Sequence, residues 1–315
     1  MLHQILIYSR FPKAQMIRIG ERYDLLDGMG KPPIETFTAE QLKSVRAMIT
    51  AGGQVIPTSV LDTMPSLGAI ICYGTGYDGV DFAETRKRNI VVGNSPAANA
   101  AAVADLAMTL MLAVTRRVVP ADAYVRSGGW AGAKPSPSMR PGPGMTGRKI
   151  GIYGMGEIGR KLAARCAAFE TEVGYHSRSK HDVPYKYHAS LDALAEWSDV
   201  MIIAVRAGPD THHVVNADIL KKLGASGTIV NIARGAVIDQ AALVNALENN
   251  VIAGAGLDVY EKEPHAPDAL TKLSNVVLTP HIGGHTIESH VAMQDCVLAN
   301  LDAFFSGKPL PYPVG

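Results

Sequence analysis

Cysteines are few in this 315-residue sequence, neither sign of charge is in excess, and no apolar run is suited to a bilayer. Each absence excludes a class of protein. The three cysteines, Cys72, Cys166 and Cys296, lie far apart and form no CxxC pair. Neither a disulfide framework nor a zinc site is therefore expected, no residue is assigned to a metal, and a reducing compartment such as the cytoplasm fits. Lys and Arg total 30 against 29 for Asp and Glu, so no one-signed field exists to concentrate nucleic acid or an anionic membrane surface, and neither partner is expected. The opening MLHQILIYSRFP lacks the basic start, long apolar core and small-residue cleavage site of a secretory leader. The most apolar stretch, Ala97 to Val114, is Ala-rich and interrupted by Asn99 and Asp105. A buried helix explains it better than a membrane span.

What is present is an α/β rhythm. The chain is long enough for two domains, each with its own core. Short β-branched or aliphatic runs at Ile5–Tyr8, Ala47–Thr50, Ala69–Tyr73 and Ile90–Val92 alternate with helical stretches. A Pro/Gly-rich segment, Ser127 to Gly147, forbids long regular structure and reads as a surface loop. From Lys149 the rhythm restarts as KIGIYG, a helix to about Phe169, then TEVGYHS, DVMIIAV, TIVNIA, AGAGLDV and VVLTP. Near-continuous apolar strands separated by helices predict a doubly wound parallel sheet covered on both faces. A last helix, Thr286 to Phe305, follows that sheet and can return to the first lobe.

The segment Gly154-Met155-Gly156-Glu157-Ile158-Gly159 reads GxGxxG directly after the strand KIGIY and at a helix start. Gly154 permits a tight turn, Gly156 lets backbone approach a pyrophosphate, Gly159 allows close helix packing, and the helix N-terminus supplies N–H donors. A bare GxGxxG can also be a turn that binds nothing; the strand-loop-helix setting favours the dinucleotide. NAD-preferring sites place a carboxylate at the end of the next strand to hold the ribose 2′-hydroxyl. Here that strand ends Tyr175-His176-Ser177-Arg178-Ser179-Lys180. Ser177, Arg178 and Ser179, with Lys180 behind them, suit a 2′-phosphate, so NADP(H) is expected to be preferred, with NAD(H) still usable.

Three further segments put polar residues just past apolar strands, where open α/β sheets bind ligands. They are IVNIARGAVID with Arg234, AGAGLDVYEKEP with Asp258 and Glu263, and VVLTPHIGGHT with His281. Reduction of a 2-keto acid needs a cation for the carboxylate, an acid for the carbonyl oxygen and a hydride held against the carbonyl carbon. Arg234 can supply the first and His281 the second, with Glu263 orienting the imidazole and favouring its protonated form. Singly, Arg234 reads as a surface cation, Glu263 as part of a charged turn and His281 as a histidine satisfied by backbone. Together, past successive strands of one sheet, they read as a catalytic set.

With these segments in view, the chain resembles the D-2-hydroxyacid dehydrogenases over nearly its whole length. The matching motifs are YGTGYDGVD (Tyr73 to Asp81), GMGEIG, NIARGAVID (Asn231 to Asp239), GLDVYEKEP (Gly256 to Pro264) and TPHIGG (Thr279 to Gly284), in the family's order. The resemblance implies an α/β fold of two Rossmann-like lobes. A doubly wound parallel-sheet cofactor domain, residues 98–285, is inserted in a smaller flavodoxin-like substrate domain formed by 1–97 and 286–315. It implies an active site in the cleft and a homodimer, with Arg234, Glu263 and His281 as the catalytic three. It places Gly154, Gly156, Glu157, Ile158, Ser177, Arg178, Ser179, Val205, Arg206, Thr211, Ile232, Ala233, Arg234, Asp258, His281 and Gly283 around the cofactor, with Asp258 touching the nicotinamide carboxamide. Backbone N–H groups around Tyr73, Gly74 and Thr75, together with Arg234 and His281, would hold the substrate.

The departures bear on the expectations. Val205-Arg206-Ala207-Gly208 replaces the family's usual Leu-Pro or Cys-Pro-Leu-Thr start, which puts cofactor contacts there in doubt while leaving Arg206 to add charge near an adenosine phosphate. His285 stands where a small residue is commoner and is read as structural or peripheral, ahead of a substrate contact. Asn99-Ala100-Ala101-Ala102 lacks polar residues often found at that helix start. Trp130 and Met139 either reach a pocket or pack at an interface. The 2′-phosphate signature and the chain's length resemble the glyoxylate/hydroxypyruvate reductase branch. The expected function is NAD(P)H-dependent reduction of glyoxylate or hydroxypyruvate to the D-2-hydroxy acid, with larger aromatic or branched 2-keto acids, or a non-enzymatic dinucleotide-sensing corepressor role, as the alternatives.

Overall fold

The protein is described here from a computed structural model, which covers residues 2–132, 134–136 and 139–315. Its chain falls into two compact units, Met1–Asn99 with Gly284–Gly315, and Ala100–Gly283. The expected boundaries, at 97/98 and 285/286, lie two residues away from each of these.

The first unit holds a five-stranded sheet of β1 (Gln4–Ile7), β2 (Asp24–Asp27), β3 (Ala47–Thr50), β4 (Ala69–Cys72) and β5 (Val91–Gly93). Its order is β2-β1-β3-β4-β5 and its pairs are parallel, the flavodoxin-like arrangement. Strands β3 and β4 are buried along their whole length, as a sheet covered on both faces requires. The returning helix Ile287–Phe305 puts Met293, Val297, Leu298 and Leu301 into the same core as Ile5, Ile7, Ile49 and Ile71. Thr286 caps it by accepting from the Ser289 N–H. Sequence pattern missed β2, because DLLD has a carboxylate at each end of only two apolar residues, and paired backbone rather than side-chain periodicity defines it.

The second unit holds seven strands: β6 (Lys149–Tyr153), β7 (Glu172–His176), β8 (Lys186–Tyr187), β9 (Val200–Ile203), β10 (Thr228–Asn231), β11 (Gly254–Leu257) and β12 (Val276–Leu278). They are parallel throughout, in the order β12-β11-β10-β9-β6-β7-β8. Strand order reverses between β9 and β6, the switch point beside which doubly wound sheets take ligands at their carboxyl ends. The Ala-rich run is the helix Ala100–Thr115, whose Ala104, Ala107, Leu110 and Met111 are buried against Ile150, Ile152 and Val230. It begins three residues later than expected, since Ala97 sits in the left-handed region at φ 57° and cannot continue a helix backwards. A second helix, Val118–Arg126, follows that the sequence pattern did not reveal; it buries none of its residues. Within Ser127–Gly147, Ala133, Pro137 and Ser138 lie outside the described residues, and the rest holds neither strand nor α-helix. No helix among the described residues is long and apolar enough to cross a membrane.

Candidate active site

The parallel sheet of the second unit brings the candidate residues to one edge. Gly154 directly follows β6, Ser177 follows β7, Val205 lies just beyond β9, Arg234 beyond β10, Asp258 directly after β11 and His281 beyond β12. All strands run the same way, so the sheet order alone arranges them as His281, Asp258, Arg234, Val205, Gly154, Ser177. The dinucleotide loop is central, with the acid–base residues on one flank and the serine and arginine residues on the other.

The loop has the shape a pyrophosphate needs. Gly154 has φ 106°, a conformation that side chains disfavour, and its N–H donates to the His176 carbonyl at 2.8 Å. A Cβ on Gly159 would lie 2.1 Å from the Gly154 carbonyl oxygen, so the helix Glu157–Ala168 can start against the turn only with glycine there. A Cβ on Gly156 would meet nothing within 4 Å. Its open side therefore faces space, and the first N–H groups of the helix, those of Glu157 and Ile158 included, lack carbonyl partners within the helix. A dinucleotide phosphate fits this cradle.

Beyond β7, Arg178, Ser179 and Lys180 are exposed, and the Ser177 hydroxyl donates to the Ser179 carbonyl at 2.7 Å, closing the turn. The hydroxyl of Thr211 does similar work after β9: it donates to the carbonyls of Arg206 and Gly208 and accepts from the Gly208 N–H. Thr211 thus shapes the segment that carries Val205 and Arg206. Ile232 and Ala233 are buried at the end of β10. The neighbouring Asn231 side chain receives the Ala233 N–H and donates to the Arg234 carbonyl, fixing the backbone from which Arg234 projects.

His281 and Glu263 are in direct contact, Nδ1 to Oε2, at 2.6 Å. A nitrogen that close to a carboxylate oxygen must carry the proton, so Nδ1 donates and Nε2 is left to meet a ligand. The other carboxylate oxygen of Glu263 accepts from the Tyr260 N–H at 3.2 Å. Burial raises the Glu263 pKa, but the hydrogen bond and charge of His281, the Tyr260 N–H and the Arg234 charge together outweigh it and leave it lowered. Arg234 is thereby electrostatically coupled to the pair. The imidazole itself is 45% exposed and accessible to a substrate.

His281 sits at φ 54°, a strained conformation for a residue with a side chain. Asp258 imposes it. Its carbonyl accepts the His281 N–H at 2.8 Å. Its carboxylate, 1% exposed as a residue, accepts from the Thr279 hydroxyl (2.6 Å) and from the Ile282 and Gly283 N–H groups (2.8 Å each). The expectation assigned Asp258 to the nicotinamide carboxamide; in the structure its three carboxylate hydrogen bonds go to the loop bearing His281. A Cβ on Gly283 would stand 3.0 Å from Asp258 Oδ2, so glycine permits this closeness. Tyr260 adds a brace, its hydroxyl donating to the Thr279 carbonyl at 3.0 Å, with its pKa pushed up to about 12 by burial and by the Asp258 and Glu263 charges. Motif reading identified Asp258 but not this role, because nothing in GLDVYEKEP reports which groups its carboxylate meets.

In the first unit, Tyr73, Gly74 and Thr75 follow β4. Gly74 has φ 118°, and the N–H groups of Gly74 and Thr75 donate to no acceptor among the described residues. Successive free N–H groups after a strand form an anion-binding concavity. The loop is pinned by Asn94, whose side chain donates to the Thr75 carbonyl at 2.8 Å, and by Asn99, which accepts the Thr75 hydroxyl at 2.9 Å. Local sequence pattern does not report this contact, since Asn94 lies 19 residues beyond Thr75.

Comparison with known proteins agrees with the geometry. The family model described as D-isomer specific 2-hydroxyacid dehydrogenase, NAD binding domain, matches residues 108–283. The chain belongs to the D-isomer specific 2-hydroxyacid dehydrogenase family. As a member it is an oxidoreductase with a nicotinamide-binding Rossmann unit. It is 37% identical to hydroxyphenylpyruvate reductase of Plectranthus scutellarioides, over 94% of each chain. It is 38% identical to a glyoxylate/hydroxypyruvate reductase of Arabidopsis thaliana, over 92% of this chain and 89% of that one. Among solved structures, the NADPH-dependent glyoxylate/hydroxypyruvate reductase of Sinorhizobium meliloti, in complex with NADP and malonate, superposes with a TM-score of 0.92. That match has 35% identity and covers 100% of this chain and 97% of that one.

Proposed function

We propose that the protein reduces a small 2-keto acid, glyoxylate or hydroxypyruvate, to the D-2-hydroxy acid with NADPH as the preferred reductant and NADH as a usable one. The observation that carries this reading is the 2.6 Å His281–Glu263 pair, with Arg234 acting on the same carboxylate, past neighbouring strands of a dinucleotide-binding sheet. The nicotinamide, when bound, supplies the hydride to the carbonyl carbon. Arg234 holds the substrate carboxylate through its guanidinium fork, and the N–H groups of Gly74 and Thr75 are the donors that the first unit offers to a carboxylate. Protonated His281 gives its Nε2 proton to the carbonyl oxygen as the alcohol forms, while Glu263, held by the Tyr260 N–H, stabilises the imidazolium before transfer and its orientation after it. Ala233, Ile232 and Val205 line the cofactor side of the sheet edge, and Gly283 keeps backbone close to it. Arg206 adds charge near the adenosine phosphates.

The cofactor preference rests on the turn after β7, which presents Arg178, Ser179 and Lys180 to solvent and no carboxylate. Kinship supports the same reading, since the Sinorhizobium meliloti enzyme is named as NADPH-dependent and was solved with NADP. In this proposal residues 98–285 bind the cofactor, and 1–97 with 286–315 bind the substrate. The protein acts as a homodimer in the cytoplasm. Val118, Val119 and Val125 of the helix Val118–Arg126 are each 52% exposed, and Trp130 and Met139 are more so. An apolar surface of this kind is what a second copy would cover. Cys72 and Cys166 are buried free thiols with pKa values pushed to about 12 by burial, inert in a reducing compartment. Turnover of glyoxylate, hydroxypyruvate, pyruvate and phenylpyruvate with each cofactor tests the proposal. NADPH-linked reduction of the first two should dominate, and nucleotide binding without turnover of any of them would overturn it.

A further inference from the structure

A second histidine–carboxylate pair lies wholly within the second unit, and the reaction chemistry does not use it. His213 Nε2 stands 2.7 Å from Glu261 Oε1, so that nitrogen carries the proton and donates to the carboxylate. Glu261 follows β11 and precedes Glu263 by two residues, while His213 belongs to the segment after β9. Like His281, His213 occupies the left-handed region, at φ 51°, which residues with side chains seldom adopt. The exposed His212 ring stacks on it at 3.9 Å.

The pair ties together the segments that follow β9, β10 and β11, three neighbouring strands. The His213 N–H donates to the Ala236 carbonyl at 2.8 Å and the Val215 N–H to that of Val237 at 3.1 Å, which fixes the segment after β9 to the one that carries Arg234. Glu261 Oε1 also accepts, at 3.1 Å, the N–H of Gln240, the first residue of the helix Gln240–Glu248, and the Gln240 side chain accepts the Glu261 N–H at 3.4 Å. The two loops touch through backbone as well. A Cβ on Gly235 would stand 1.9 Å from the Tyr260 carbonyl carbon, so glycine lets the residue after Arg234 lie against the residue before Glu261. Tyr260 in turn donates its N–H to Glu263. His213 is thereby joined by its backbone to the loop bearing Arg234 and by its side chain to the loop bearing Glu263.

We infer that His213 is a positioning residue, which through Glu261 holds the loop bearing Glu263 against the loop bearing Arg234 and so sets the spacing of those two groups. The inference rests on the function proposed above, in which Arg234 holds the substrate carboxylate and Glu263 serves the proton donor, and deepens it. A partly exposed ion pair contributes little to stability by itself, whereas a displacement of about 1 Å in a catalytic group costs on the order of 100-fold in rate. The effect of the pair therefore belongs in the kinetics more than in the melting temperature.

The test is a set of substitutions assayed with glyoxylate and NADPH, each beside a thermal melt and a fluorescence titration with NADPH. Asparagine at 213 tolerates the left-handed backbone but ends too short to reach Glu261, whereas glutamine carries an amide N–H out to about the position of Nε2. His213→Asn should lower kcat/KM for glyoxylate about tenfold, through a higher KM as Arg234 shifts and a lower kcat as Glu263 shifts, with the Kd for NADPH within twofold of wild type. His213→Gln should restore most of the loss. Glu261→Ala should match His213→Asn, and the double substitution should lose about as much as either alone, not the roughly 100-fold of two independent sites. Both side chains are partly exposed, so their replacement does not put folding at issue. Glyoxylate kinetics within twofold of wild type in His213→Asn, with an active wild type, would overturn the inference and leave the proposed function standing, whatever the melting temperature does. An equal loss in His213→Gln, or additive losses in the double variant, would overturn it too. Absence of any keto-acid turnover by the wild type would overturn both.

Discussion

Asp258→Asn is the substitution that most sharply probes how the fold places the proton donor. The carboxylate is buried and accepts three hydrogen bonds, from the Thr279 hydroxyl and the Ile282 and Gly283 N–H groups, at 2.6 to 2.8 Å. An asparagine oxygen can replace Oδ1 and keep the first two contacts. Its nitrogen then faces the Gly283 N–H, donor against donor, at the position now separated by 2.8 Å. One charge-assisted bond is lost and a buried N–H is left unsatisfied, a cost of about 2–4 kcal/mol. At roughly 2–4 °C per kcal/mol for a domain of this size, the melting temperature should fall by about 4–16 °C. The loop that holds His281 at φ 54° also loses a restraint, and a displacement of about 1 Å at the proton donor costs on the order of 100-fold in kcat. Thermal melts and steady-state kinetics on the same preparation measure both effects. A variant that keeps wild-type melting temperature while losing activity would refute the reasoning, because Asp258 would then act on a ligand and not on the loop.

Three other outcomes follow from the same contacts. Arg178→Ala should reduce kcat/KM for NADPH by about ten- to 100-fold, the worth of a charge-assisted contact to phosphate, and change NADH kinetics by less than twofold; equal losses with both cofactors would contradict a 2′-phosphate role. The lowered pKa of Glu263 gives a pH signature. A depressed carboxylate pKa stabilises the fold above its unfolded value, near 4.5, and that stabilisation disappears as pH falls through the folded value. The gap in melting temperature between wild type and Glu263→Gln should therefore be widest near neutrality and close in acid, and a gap independent of pH would count against the ion pair. If the proposed homodimer is closed by the helix that buries no residue, Val119→Glu should shift sedimentation from twice the 33.5 kDa chain mass toward the single chain; a wild type that sediments as a single chain, or a variant unchanged from a dimeric wild type, would contradict that interface.

The parts of the fold legible in sequence are those where local pattern and tertiary demand coincide. KIGIY and VMII have no charged or amide residue at their buried positions, and TIVN sets Ile229 and Val230 between a buried Thr228 and Asn231, so the apolar runs located these strands. Lys186–Tyr187 is a two-residue strand defined by its pairing to β7, and no propensity signal attends so short a segment. Arg234, Glu263 and His281 stood out as candidates because each lies past a strand, and the structure pairs His281 with Glu263. The left-handed backbone at His281 was not legible, because it is imposed from Asp258, 23 residues earlier in the chain. His290 did not stand out in the sequence, because its partners Tyr73 and Gln15 come from distant segments. Contacts between segments far apart in the chain leave no periodic mark, and residues assembled by them were the ones that single-sequence reasoning undervalued.

The assignment of His281 as proton donor is tested most directly by His281→Gln, assayed for glyoxylate and hydroxypyruvate reduction beside a fluorescence titration with NADPH. Glutamine can still receive or donate a hydrogen bond but cannot deliver a proton to the carbonyl oxygen at neutral pH. The expected result is a loss of about 100- to 10,000-fold in kcat, with the Kd for NADPH within threefold of wild type. Wild-type turnover in the variant would contradict the assignment.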